Sequence, residues 1–190
     1  MTGNGAGHFW VGASKQYKRI PLPESEQMLL ENACKDIQDK LLVMTLLDTG
    51  IRINEFCMLT KEDIDWQNDD IRILHGKGGA FGQASKHRTV PMTERVKILF
   101  RTWFSISDMM PFGVRGAQRR LKNIAKRAGI MQKATPHVLR HTFAVRFLKK
   151  THDLRALQLI LGHDNLQTTQ IYLSYSASDV KEAYKRFEGV

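Results

Sequence analysis

Tyr172, in Thr168-Thr169-Gln170-Ile171-Tyr172, lies nine residues beyond the histidine of Leu161-Gly162-His163, and Pro136-His137-Val138-Leu139-Arg140-His141 stands upstream of both. His137 and Arg140 are three apart, a spacing that on a helix projects both side chains to one side, where they can converge on a small anion. Phosphate suits the pair, because a guanidinium offers a planar fork to two oxygens and stays charged at any working pH. A salt bridge inside the core is the other reading of these two residues. Arg52 follows Gly50 at a turn into a helix, where backbone amides also face anions, and Glu55 one turn on can orient its guanidinium. Tyr172 is a weak nucleophile near neutrality, its phenol having a pKa of about 10, so attack needs a base or cations that stabilise the phenolate. His137, His163 and the two arginines are groups of that kind. A half-buried core tyrosine is the plain alternative, and by spacing alone Tyr175 and Tyr184 compete with Tyr172. Lys77, in Gly76-Lys77-Gly78, stands at the tip end of a predicted hairpin, from which a flexible ammonium can reach a leaving oxygen and donate a proton.

The elements that must position these groups are mostly helical. Apolar spacing predicts helices over 24–33, 40–49 and 53–59, with Gly50 ending the second and Arg52 beginning the third. Alternation over 70–75 predicts a strand whose partner is Arg88-Thr89-Val90-Pro91, with a glycine-rich hairpin loop between them. Helices are expected over 93–104, 114–128 and, from a Thr135 cap and Pro136 in the first turn, through 138–149, then over 154–161 up to Gly162. Residues 178–187 read as a short amphipathic helix. The fold class is therefore α+β, mainly helical, with a small antiparallel β-sheet. Residues 1–19 read as a flexible leader or linker, 20–176 as one core and 177–190 as a C-terminal helix.

The chain has 190 residues, enough for one domain with a sizeable core, and its 29 Lys and Arg outnumber 19 acidic residues to give a net charge of +10. With a pI near 9.8, its field attracts polyanions, and nucleic acid is the leading partner. A basic protein with no such role remains the bland alternative. The helix over 114–128 carries Arg115, Arg119, Arg120, Lys122 and Lys126 as candidate contacts to the DNA backbone, against the reading of a solvated charged face. Two isolated cysteines, Cys34 and Cys57, and the lack of a secretory-type leader fit reduced thiols in the cytosol. No apolar run approaches the roughly 18 residues of a membrane-spanning helix, so no membrane partner is expected. His137 and His141 are four apart as in helical zinc sites, but Val138 stands where a zinc protease needs glutamate. The acids Glu62, Asp63, Asp65, Asp69 and Asp70 flank a predicted strand with no second carboxylate cluster, which favours solvation over a metal site.

Taken together, Thr49-Gly50-Ile51-Arg52, Pro136 to His141, Leu161-Gly162-His163 and Tyr172 in its Thr-Thr-Gln-Ile-Tyr setting resemble the tyrosine recombinase (phage integrase) family, over roughly residues 20–190. The resemblance implies that Tyr172 attacks the scissile phosphate of double-stranded DNA to form a 3′-phosphotyrosyl link. Arg52 and Arg140 would neutralise the phosphate oxygens, Glu55 would orient Arg52, His137 would assist proton transfer and His163 would hydrogen-bond the phosphate. The family's general acid is the hairpin lysine, which Lys77 matches; the loop is longer than the family's compact turn, so Lys86 stands as a rival. No metal or nucleotide cofactor is implied. The partners implied are a specific recombination site and other copies of the chain, as a tetramer on DNA in the cytoplasm at the nucleoid, with the C-terminal helix packing on a neighbouring subunit. Two departures stand out: about twenty residues precede the catalytic motifs where the family commonly has a helical DNA-binding domain, and Lys149-Lys150-Thr151-His152-Asp153 replaces a glycine-containing turn. A type IB topoisomerase-like enzyme and a non-catalytic DNA-binding module of the same fold are the rival readings.

Overall fold

The computed structural model describes residues 20–74, 87–130 and 134–162. Helix α1 (Glu24–Asn32) leads to α2 (Ile37–Thr49), α3 (Ile53–Met58) and a 3-10 turn (Lys61–Asp63). Strands β1 (Ile64–Asp65), β2 (Asp70–Ile73) and β3 (Arg88–Pro91) follow, then α4 (Glu94–Phe104), α5 (Val114–Arg127), α6 (Pro136–Thr151) and α7 (Leu154–Leu161). The mainly helical α+β expectation holds. The helix ends shift by up to three residues, because caps rather than apolar spacing set them. Asp36, whose carboxylate accepts from the Asp39 amide at 2.8 Å, starts α2 ahead of its apolar run.

Helix α2 is apolar on nearly every side: Leu41, Leu42, Val43, Leu46 and Leu47 are fully buried. Such a helix is stable only as the centre of a bundle, and α1, α3, α4, α5 and α6 all pack against it. Each of these leucines contributes roughly 1.5–3 kcal/mol by leaving water. A second cluster joins Phe143, Ala144 and Leu148 of α6 to Leu157 and Leu161 of α7, and so fixes where α7 ends.

The sheet is antiparallel in the order β1-β2-β3, with Ile71 opposite Val90 and Ile73 opposite Arg88. Ile71, Ile73 and Val90 turn inward. By the two-residue alternation of a strand, Arg88 shares the inward face with Val90. Strand β1 was not expected from the sequence; two residues are too few to alternate, and only pairing with β2 defines it. The acids near the sheet do separate work. Asp63 accepts from the Thr60 amide and hydroxyl. Asp65 accepts from Gln67 and Asn68, and Asp69 pairs with Lys97 at 2.7 Å.

The α6–α7 turn that departs from the glycine pattern is closed by His152, whose φ of 56° lies in the left-handed region. Its amide donates to the Leu148 carbonyl at 2.8 Å, and Asp153 caps α7 by accepting from the Ala156 amide. Histidine thus takes the conformation glycine adopts more readily, at a cost of roughly 1–2 kcal/mol.

Candidate active site

Thr49 ends α2 and Gly50 turns the chain at φ +62°. Only a residue without a side chain fits there, since an added Cβ would lie 2.3 Å from Cδ1 of Phe143. This turn delivers Arg52 to the N-cap of α3. The Glu55 carboxylate reaches back, accepting from the Arg52 amide at 2.7 Å and from its Nη1 at 2.8 Å. Glu55 thus holds Arg52 at two points, its main-chain amide and its guanidinium, with Arg52 the donor in both bonds. The Arg52 side chain keeps 34% of its surface exposed, whereas that of Glu55 keeps 1%.

Burial alone would raise the Glu55 carboxyl. The hydrogen bonds and charge of Arg88, then the hydrogen bonds from Arg52, outweigh it and hold the group below its ordinary value. Arg88 is the residue that reading the sequence missed. It donates Nη1 to Oε1 of Glu55 at 2.9 Å and Nη2 to Oε2 at 2.7 Å, a two-pronged pair. Its Nε donates to the Ile160 carbonyl at 2.8 Å. The available signal was its position two residues before Val90 on the inward face of β3, where a charge must find a partner.

Arg140 projects from α6 into the interior and is 7% exposed. Its Nη1 donates to the Gly50 carbonyl at 2.6 Å and its Nη2 to the Leu161 carbonyl at 2.7 Å. Arg52 Nη2 makes a longer contact, 3.5 Å, with the carbonyl of the next residue, Gly162. Two arginines 88 positions apart in the sequence thus end on consecutive carbonyls at the close of α7. His137 lies one turn before Arg140 on α6 and is exposed; His141 is half-buried. Thr135 caps this helix by accepting from the Val138 amide, with Pro136 in the first turn, as the sequence suggests.

Tyr172, His163, Lys77, Lys86, Tyr175 and Tyr184 lie outside the described residues, as do the leader over 1–19 and the C-terminal helix over 177–190. On α5, Arg115, Arg119, Lys122 and Lys126 are exposed along one side while Ala117, Leu121, Ile124 and Ala125 face the core. Arg120 points elsewhere: its Nε donates to Asp39 at 2.5 Å, its Nη2 pairs with Asp36, and Arg127 joins the same Asp39. It braces α5 against the start of α2. Among the described residues no cluster of three or more His, Cys, Asp or Glu side chains could hold a metal ion. None of the described helices is long and apolar enough to cross a membrane.

A family model described as the Phage integrase family matches residues 19–178. The chain is 35% identical over 174 residues to the tyrosine recombinase XerA of Saccharolobus solfataricus, an alignment covering 90% of this chain and 56% of that protein. It is 33% identical over 189 residues to the tyrosine recombinase XerC of Mannheimia succiniciproducens, covering 92% and 63%. Among solved structures, the XerA recombinase superposes with a TM-score of 0.74 at 33% identity, over 88% of this chain and 63% of that one. The catalytic domain of bacteriophage HP1 integrase superposes with a TM-score of 0.67 at 26% identity, over 87% of this chain and 93% of that domain. The chain spans less than two thirds of the length of the XerA and XerC proteins it matches. With the family model matching residues 19–178 and the XerA and XerC relatives aligned over about nine tenths of its length, the chain belongs to the phage integrase, or tyrosine recombinase, family, whose catalytic domain it spans.

Proposed function

We propose that the chain cleaves and rejoins double-stranded DNA at a specific recombination site through a 3′-phosphotyrosyl intermediate, without metal or ATP. The observation that carries the reading is the convergence of Arg52 and Arg140 on consecutive carbonyls at the close of α7, two residues or fewer before His163. Two guanidiniums held there by fixed partners form a preorganised anion site, and their charge grows in value as the phosphorane builds negative charge. Tyr172 oxygen attacks phosphorus, the bond to the 5′-oxygen breaks, and that oxygen takes a proton from Lys77, with Lys86 as the rival donor. The phenolic proton passes to His137, and His163 hydrogen-bonds a phosphate oxygen. Because the new ester keeps the bond energy of the old one, a 5′-hydroxyl of a second strand can attack it and restore the phosphodiester.

Arg115, Arg119, Lys122 and Lys126 on the exposed side of α5 hold the DNA backbone, supported by the net charge of +10. Arg120, committed to Asp36 and Asp39, is left out of that set. One relative of known structure, XerH, was captured on its difH substrate after cleavage, at 25% identity to this chain. By the same reading the chain works as a tetramer on cytoplasmic, nucleoid DNA, residues 20–176 forming the catalytic core and 177–190 a helix packed on a neighbouring subunit.

The test is incubation of the chain with nicked, labelled junction DNA in EDTA, followed by denaturing electrophoresis beside Tyr172→Phe. A covalent adduct that Tyr172→Phe abolishes is the expected result. DNA binding without any adduct would refute the proposal and leave a binding module.

A further inference from the structure

Arg88 has no part in the chemistry above, yet its guanidinium is fully partnered and enclosed. Its side chain is 10% exposed, and all three of its guanidine nitrogens have partners: both Glu55 oxygens and the Ile160 carbonyl. The fit is close. A Cβ added to Gly162, which already needs a φ of +63°, would lie 2.9 Å from Arg88 Cδ and 3.1 Å from its Nε. The bend at Gly162 is thus built around this side chain.

The consequence is one of charge. The Glu55 carboxylate stands between two guanidiniums and accepts from both. If Arg52 were its only cation, the pair would be neutral, and Arg52 would be drawn onto a carboxylate buried to 1% exposure. With Arg88 present, two positive groups meet one negative group and a full positive charge is left over. Exposure decides where that charge resides. Arg88 is enclosed, and Arg52, at 34% exposure, is the member that solvent and substrate can reach.

We propose that Arg88 is a positioning residue for strand cleavage: it neutralises Glu55, so that the charge of Arg52 remains available to the scissile phosphate. Through Ile160 it also ties β3, which in sequence follows the segment containing Lys77 and Lys86, to the end of α7 that Arg52 and Arg140 contact. The inference rests on the phosphotyrosyl reading for its kinetic arm only.

Single-turnover cleavage is compared on a natural phosphodiester and on a methylphosphonate at the scissile position, which lacks one negative oxygen and so asks less of Arg52. Arg88→Met is expected to slow the phosphodiester about tenfold to a hundredfold, the usual effect of losing a supporting partner, while methylphosphonate cleavage stays within a few-fold of wild type. Equal slowing of both substrates, or of neither, would overturn the proposal. Arg88→Lys keeps the charge and loses the fork, and its phosphodiester rate is expected nearer to wild type than to Arg88→Met; a lysine variant as slow as methionine would sink it. If wild type itself forms no adduct, the phosphotyrosyl reading fails, and the charge argument is still decided by calorimetric titration with inorganic phosphate. The Arg52-dependent part of that binding, defined against Arg52→Ala, is expected to weaken at least about tenfold in Arg88→Met; unchanged affinity would refute it.

Discussion

Replacing Gly50 by alanine isolates the turn on which both arginines depend. Two costs add. A residue with a Cβ at φ +62° pays for the left-handed conformation, roughly 1–2 kcal/mol. The new methyl would also sit 2.3, 2.8 and 2.9 Å from three ring atoms of Phe143, a buried residue packed between α6 and α7, and such overpacking costs roughly 1–3 kcal/mol. The expected loss is about 2–5 kcal/mol, a large share of the roughly 5–15 kcal/mol that stabilises a domain. Gly129 supplies the internal control: its φ is +65°, but nothing lies within 4 Å of an added Cβ, so Gly129→Ala should show the backbone cost alone. Urea unfolding of Gly50→Ala, Gly129→Ala, Phe143→Ala and the Gly50→Ala/Phe143→Ala double variant separates the two. With Cγ, Cδ1 and Cε1 of residue 143 gone in the Phe143→Ala background, alanine at 50 should there cost about what it costs at 129, with a coupling of about 1–3 kcal/mol between the paired sites. Additive losses, or equal losses at 50 and 129 in the wild-type background, would refute the steric argument. Cleavage should fall further than stability requires, because the Gly50 carbonyl accepts from Arg140 Nη1.

Two other predictions concern charge. Burial would raise the Asp48 carboxyl, but Arg95, Thr93 and Arg146 hold it below its ordinary value near 3.8. Since its folded-state value is the lower one, the stabilisation is complete above about 3.8 and is lost as pH falls through the folded-state value. The melting-temperature gap between wild type and Asp48→Asn should thus be constant from pH 7 to about pH 5 and close in stronger acid; a gap that persists at the lowest pH where both chains fold would contradict this. On α5, Arg119→Ala or Lys126→Ala should each lower the slope of log K against log salt for DNA binding by about one. Arg120→Ala should leave that slope unchanged and lower the melting temperature, because Asp39, 3% exposed, loses a partner; a slope change of one for Arg120→Ala would return that side chain to the DNA surface.

Local signals in the chain announce much of the fold and of the site. Thr135-Pro136 marks the start of α6, and Gly50 and Gly162 mark helix ends, because caps and turns act over a few residues. Glu55 could be assigned to Arg52 for the same reason, being one turn away. Arg120 shows the limit. A basic helix reads alike whether its arginines face solvent or the acids at 36 and 39, and the ion pair that decides the matter spans 81 positions. Strand β1 was invisible because two residues carry no period of their own.

The sequence by itself determined which functional groups the chain possesses, their order and their local geometry, since each of these is set by covalent chemistry and short-range hydrogen bonding. Only the tertiary structure decided how the charges are shared. Arg88 meets Glu55 across 33 positions and Arg140 meets Gly50 across 90, and closure of the core around α2 and α7 is what brings them together. Coulomb and hydrogen-bond energies depend on that distance in space, and no local pattern encodes it.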